Sequence, residues 1–143
     1  MTSSDANSQI AFYVRALANS VSTALGKRLS SKKVTVAEWT MLWVLEGEQP
    51  IAPSLLALRM GMSRGAISKL AERLIQKSLV VRKVHKEDGY DQALELAPKG
   101  KRLFPALYAL AQETEAEFFD RLSFADRGHL DRIVRHLVRE SDR

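Results

Sequence analysis

A mainly α-helical fold with one small β-hairpin is predicted for this chain on three observations. First, residues 53–100 run through a short apolar segment ending at Met60-Gly61-Met62, a longer amphipathic segment opened by Ser63, and two β-rich runs around a charged turn. Second, the sequence on either side of this module carries apolar residues at helical spacing. Third, the basic charge is local: Arg59 to Lys86 holds eight Lys/Arg and one acid, +7 over 28 residues, while the whole chain is +5 and the remainder therefore −2. Helix, tight turn, helix and β-ribbon in that order describe a winged helix-turn-helix, here flanked by N- and C-terminal helices. In that fold the second helix of the motif enters the DNA major groove.

The elements follow in order. Ile10 to about Leu29 places Ile10, Val14, Leu17, Val21, Ala24 and Leu25 on one helical stripe with no internal proline, and Ser30-Ser31-Lys32-Lys33 ends it. Thr35 and Glu38, three apart, form a capping-box pattern for a second helix that reaches about Leu45 and stops near Gly47. Trp39, Leu42, Trp43 and Leu45 take up so much of its circumference that it is expected to be largely buried. Pro50-Ile51-Ala52-Pro53 reads as an extended connector, because each proline disfavours helix at the residue before it. Ser54–Met60 reads as a short helix closed by Gly61 in the left-handed conformation.

Ser63 caps the next helix, with Ile67, Leu70, Ala71 and Leu74 as its buried stripe and Arg64, Ser68, Lys69, Glu72 and Arg73 largely on the other side. Leu79–Val84 is β-branched and short, Lys86–Asp91 is a turn centred on Asp88-Gly89, and Ala93–Leu96 returns as the partner strand. Pro98 suits the first turn of a long helix reaching about Arg121, in which Pro105 should bend the axis or leave a carbonyl unpaired. Ser123 and Asp126 open a last helix through Leu130, Ile133, Val134, Leu137 and Val138. The expected organisation is a single domain over 1–143, with a winged lobe at 34–97 and dimerisation helices at 8–31 and 98–140. These flanking helices carry more apolar surface than the lobe needs, which favours burial across a two-fold axis.

Composition removes several classes of function. Hydrophobic residues at 45% and charged residues at 27% describe a globular chain. The absence of cysteine excludes disulfides, thiolate metal sites and cysteine nucleophiles. No apolar run approaches the roughly 20 residues that span a bilayer, and Met1–Asp5 lacks the pattern of a signal peptide, so a cytoplasmic protein with no membrane partner is expected. There is no G-x-S-x-G elbow and no glycine-rich nucleotide loop. Histidine is confined to His85, His129 and His136; a charged helix face accounts for the last two better than a metal site with Asp126 does. No enzyme activity and no cofactor are expected.

The candidate DNA-reading residues are Ser63, Arg64, Ser68, Lys69 and Arg73. A helix N-terminus offers free amides to phosphate, Arg64 has the fork that reads guanine, and Ser68 and Lys69 lie one turn deeper. Lys83 and Lys86 at the base of the ribbon are candidates for backbone contacts. Tyr13, Arg15, Trp39 and Trp43, on the first two helices, are candidates for a ligand site in which aromatic rings stack on a planar molecule and Arg15 pairs with a carboxylate.

Several stretches together resemble the MarR family of bacterial transcriptional regulators, over nearly the whole chain. Val36–Leu42 looks like the family's second-helix pattern, Met62–Leu70 is similar to its recognition helix, and Leu74–Val80 resembles its helix exit, with Ser78 where glycine is usual. Asp88 and Leu94–Gly100 look like its wing and the segment after it. The resemblance implies a homodimer on pseudo-palindromic double-stranded operator DNA, acting as a repressor and released by a small aromatic or phenolic ligand, commonly a carboxylate. In two further places the chain departs from the pattern. Ala97 replaces a usual threonine. Tyr90 stands where the wing has an arginine for the minor groove, and with Glu87, Asp88 and Asp91 it makes the tip acidic, so little minor-groove readout is expected from this wing. The alternative reading is a winged-helix protein-interaction or ligand-sensing module with weakened DNA binding.

Overall fold

The computed structural model describes the backbone of residues 3–85 and 90–141 and the side chains of 9–83 and 92–139. Its elements are α1 (Ser3–Leu29), a 3-10 turn (Ser30–Lys32), α2 (Val36–Gly47), α3 (Pro53–Met60), α4 (Arg64–Gln76), β1 (Val80–His85), β2 (Tyr90–Leu96), α5 (Pro98–Phe119) and α6 (Phe124–Ser141). This is the mainly α-helical winged helix-turn-helix that the sequence predicts. The Asp88-Gly89 turn and Lys86 lie outside the described residues, as do the side chains of Tyr90 and Asp91.

The chain divides into two compact units, Ser22–Leu110 and a second made of Met1–Val21 with Ala111–Arg143. The buried apolar residues belong to the first. Leu29, Met41, Leu42, Leu45, Leu56, Ile67, Leu74, Leu94, Leu96 and Leu107 are each almost fully shielded from solvent. In the second unit α6 starts from a Ser123 cap, whose hydroxyl accepts from the Asp126 amide at 3.1 Å. Arg127 pairs there with Asp120 and Glu115. Large apolar side chains of this unit stand in solvent, among them Ile10, Val14, Phe124, Val134 and Leu137.

Both helices of the helix-turn-helix end in the same motif with different residues. At the end of α3, Gly61 is left-handed (φ 63°), its amide donates to Leu58, and the Met62 amide reaches back to Ala57. At the end of α4, Ser78 takes that conformation (φ 64°), its amide donates to Ile75, and the Leu79 amide reaches Leu74. These are Schellman caps, and Leu74 and Leu79 supply the buried apolar contact that accompanies them. Ser78 therefore carries the backbone strain of a β-carbon in the left-handed region. The first turn of α5, which follows the hairpin, comes so close to this exit that a β-carbon on Gly100 would overlap the Leu79 carbonyl oxygen.

The connector holds more structure than its prolines suggest. Ile51 exchanges two backbone hydrogen bonds with Leu94, at 3.0 and 2.8 Å, so it forms a one-residue bridge on the free edge of β2. The bridge stays one residue long because Pro50 and Pro53 have no N–H to extend it. The Gln49 Oε1 atom accepts from the Leu96 amide at 2.8 Å, fastening the same edge. Pro53 is the first residue of α3, where its missing donor has no cost, so the helix starts one residue earlier than the sequence pattern indicates. β1 and β2 pair antiparallel, Val80 opposite Leu96 and Arg82 opposite Leu94, with an irregularity between Lys83 and His85.

Burial of α2 is as expected at Trp39, Leu42 and Leu45, but not at Trp43, which is 55% exposed. Glu38, by contrast, is completely buried. Its carboxylate completes the Thr35 capping box by accepting from the Thr35 amide at 2.9 Å, and the Thr35 hydroxyl accepts from the Glu38 amide at 3.1 Å. It also takes the Lys77 ammonium from the end of α4, at 3.0 Å to Oε1 as a hydrogen bond. Oε2 lies 2.8 Å from the same ammonium as an ion pair, but out of line for a hydrogen bond. Lys77 donates in addition to the carbonyl of Lys33, 2.8 Å away, whose own backbone is left-handed (φ 58°). Burial pushes the Glu38 carboxyl up, and Lys77 with the Thr35 donors outweighs it, so the group is held below the usual 4.5.

Two outcomes are expected. Ser78→Gly should stabilise the protein by about 0.5 kcal/mol, strain relief exceeding the entropy added to the unfolded chain, and read as a small rise in Tm. Because Glu38 titrates lower when folded, its contribution is complete above the unfolded carboxyl range and disappears as pH falls through the folded value. Glu38→Gln should therefore cost about 1–3 kcal/mol at pH 7 and flatten the loss of stability below pH 4.5, both measurable by denaturant titration across pH.

Candidate nucleic-acid interface

α4 starts at a Ser63 cap whose hydroxyl oxygen accepts from the Ala66 amide at 3.1 Å. Ser63 thus organises the helix start with its lone pair and keeps its hydroxyl proton for a donor role. Ile67, Leu70, Ala71 and Leu74 are buried, and Arg64, Ser68, Lys69, Glu72 and Arg73 face solvent, as the periodicity predicts. At about 100° per residue, Ser68, Lys69 and Glu72 occupy the middle of the exposed face, and Arg64 and Arg73 stand about 180° apart at its two edges. Lys69 and Arg73, four apart, are neighbours.

The structure sorts the basic cluster in a way the sequence does not. Arg59 is paired with Glu48 through two hydrogen bonds, at 3.0 and 3.1 Å. Lys77 is engaged by Glu38. Arg82 on β1 donates to Glu72 on α4 at 2.9 Å, and Lys83 lies 3.4 Å from Glu95 on β2. Lys86 lies outside the described residues. Among the described residues of the cluster, Arg64, Lys69 and Arg73 are the cations without an acidic partner, and all three are on the exposed face of α4. Lys83, expected as a backbone contact, spends part of its charge across the hairpin.

Arg82 is the residue that sequence reasoning passes over. It lies ten positions from Glu72, beyond any helix or hairpin spacing, and yet it neutralises the one acid on the exposed face of α4. The pair also ties the root of the ribbon to the recognition helix.

The ligand residues expected from sequence fall in both units. Tyr13 and Arg15 are exposed on the Met1–Val21 segment, where Tyr13 lines a shallow patch with Ile10, Val14 and Leu17 that does not include Arg15. Trp39 and Trp43 belong to Ser22–Leu110. There an open cavity of about 510 Å³ is lined by Trp43, Phe104 and Tyr108 with Glu46, Glu48 and Arg59. Trp39 stands behind Phe104, ring centres 5.2 Å apart, and supports that wall without lining the cavity. Phe104 and Tyr108, four apart on α5, were legible as helix residues but carried no signal of a site until α2 and α5 were placed together.

A family model described as the MarR family matches residues 32–89, the stretch from the α2 cap to the hairpin turn. Over that stretch the winged-helix lobe is similar to the MarR family. A relative from Thauera aromatica, a candidate transcriptional regulatory protein for the hcr operon, is 29% identical over 111 residues, 78% of this chain and 67% of that protein. Among solved structures, a mutant of E. coli MarR complexed with operator DNA superposes with a TM-score of 0.83 at 17% identity, covering 96% of this chain and 99% of that one. CouR from Rhodococcus jostii RHA1, bound to p-coumaroyl-CoA, gives 0.82 at 19% identity and covers 90% of each. At these identities the structures establish the fold. No helix among the chain's described residues is long and apolar enough to cross a membrane.

The Arg82–Glu72 pair generates a prediction of its own. Arg82→Ala should weaken duplex binding several-fold by leaving an uncompensated carboxylate beside the phosphates. Adding Glu72→Gln should restore most of the loss. Anisotropy titrations of the single and double variants check this, and a double variant no better than Arg82→Ala would show that Arg82 itself touches the DNA.

Proposed function

We propose that this chain is a DNA-binding transcriptional regulator of the MarR family: a cytoplasmic, homodimeric repressor that binds a pseudo-palindromic operator and is released by a small aromatic or phenolic ligand. The observation that carries the DNA reading is the charge sorting on α4. Of the described basic residues between Arg59 and Lys83, those left without an acidic partner are the three presented by the recognition helix. Arg64 reads a base in the major groove, Lys69 and Arg73 hold phosphates, and Ser63 and Ser68 add hydroxyl donors. Lys83 has a reduced part, and Lys86 keeps the backbone role expected of it from sequence.

Dimerisation is supported by the exposed apolar side chains of Met1–Val21 and Ala111–Arg143, which a monomer leaves in water. Two copies joined there present two α4 helices to successive major grooves. An aromatic effector is supported by the Trp43–Phe104–Tyr108 cavity, and by the fact that CouR, of the same fold, holds p-coumaroyl-CoA. Trp43 is the wall that reports occupancy through its fluorescence. Tyr13 lines the N-terminal patch of its own unit, and Arg15 does not.

The test is fluorescence anisotropy against DNA from just upstream of the chain's own gene, with an unrelated duplex as control, at two salt concentrations. Specific binding should fall steeply with salt. Arg64→Ala should reduce preference at one base step by about 1–3 kcal/mol. Lys69→Ala and Arg73→Ala should each weaken both duplexes alike and lower the salt slope by about one. Equal, salt-insensitive binding of both duplexes by the wild type would refute the reading.

A further inference from the structure

The cavity on the Ser22–Leu110 unit has a charge pattern that bears on what it accepts. Its aromatic side is strong: the Phe104 and Tyr108 rings stack with centres 6.0 Å apart and planes 13° from parallel, and Trp43 is more than half exposed. Its ionic side holds two acids and one base, Glu46, Glu48 and Arg59. Arg59 Nε donates to Glu48 Oε2 at 3.0 Å and a terminal guanidinium nitrogen donates to Oε1 at 3.1 Å, so the fork meets both oxygens of one carboxylate. Through that pair Arg59 holds the Glu48 carboxyl below its ordinary range, and the pair is fully charged at neutral pH. Glu46 has no ionic or hydrogen-bonding partner among the described residues. The lining is therefore net −1, with the one guanidinium already occupied.

An incoming carboxylate would have to displace Glu48 from a two-point pair while facing Glu46. A cation meets the opposite balance, since Glu46 attracts it and exposed ring faces carry the negative side of the aromatic quadrupole. We propose that this cavity takes a planar aromatic cation, seated against Trp43 and Tyr108 with its positive charge toward Glu46. The inference rests on the reading of this cavity as the effector site and adds the sign of the ligand's charge.

Isothermal titration of the full-length protein with three bicyclic probes of similar size tests it: N-methylquinolinium, neutral 2-naphthol and anionic 2-naphthoate. N-methylquinolinium should bind at least about fivefold tighter than 2-naphthoate, the worth of one cation–π contact at a partly exposed site. Glu46→Gln, at an exposed position away from the core, should weaken the cation about threefold and leave 2-naphthol unchanged. Trp43→Leu should weaken all three. Tighter binding of 2-naphthoate, or a Glu46→Gln protein that holds N-methylquinolinium as well as the wild type, overturns the charge assignment and leaves the aromatic cavity standing. Failure of all three probes to bind overturns both.

Discussion

The Glu38 carboxylate has no access to solvent and is still held ionised, because the Thr35 amide and hydroxyl group at one end of α2 and the Lys77 ammonium at the end of α4 surround it. A buried charge with those partners removed would cost several kcal/mol, so the two segments that supply them cannot separate independently. Lys77 continues the chain of contacts to the Lys33 carbonyl, and Lys99 of α5 donates to the Lys77 carbonyl at 3.3 Å. One ion pair thereby fixes the start of α2, the end of the recognition helix and the entry to α5. The apolar core supplies most of the burial energy, but it is not directional. The carboxylate supplies the register: it defines where the far end of α4 stops, while the Ser63 cap defines where the helix starts.

With both ends of α4 fixed, the distribution of ion pairs determines what that helix presents. On the proposed reading, each basic residue that finds an acid within the lobe is removed from the set that competes for phosphate, and Glu38, Glu48, Glu72 and Glu95 remove four. The local excess of +7 in the sequence overstates the usable positive charge, and understates how well it is focused on one helix face. Focusing matters more for register on DNA than total charge does, because phosphate contacts fix orientation only when they lie on one surface.

The local devices were legible from sequence because their partners are three to six residues apart. The Thr35–Glu38 box, the Ser63 cap, the left-handed Gly61 and the apolar stripe of α4 all appear where the spacing puts them. What spacing does not reveal is a partner chosen by tertiary packing. Glu38 and Lys77 are 39 positions apart, and Glu72 and Arg82 cross from helix to strand. Ile51 lay in a segment that two prolines mark as irregular, yet its own N–H and C=O were free to bridge to Leu94. Trp43 was misplaced for a related reason: its hydrophobicity argues for the core, and only the arrangement of α2 beside α5 opens a cavity there.

A single short helix, α2, carries both the core anchor and the cavity wall. Glu38 is in its first turn, Trp43 is near its middle, Glu46 is in its last turn and Glu48 immediately follows. Twelve residues of α-helix form a rigid rod about 18 Å long. A ligand that shifts the Trp43 end of such a rod must also load the Glu38–Lys77 pair at the other. Arg59, which closes the cavity through Glu48, is in the last turn of α3, the helix that leads into α4 through Gly61. On the proposed reading, the effector therefore acts on both ends of the recognition helix, through α3 at its start and through Lys77 at its finish. Neither route needs the ligand to approach DNA. The thermodynamic requirement is that the cavity hold its ligand more tightly in one placement of α2 and α3 than in the other. An ion pair that is buried and out of line at one oxygen is suited to that role, because small displacements change its energy steeply while the apolar contacts around it change little.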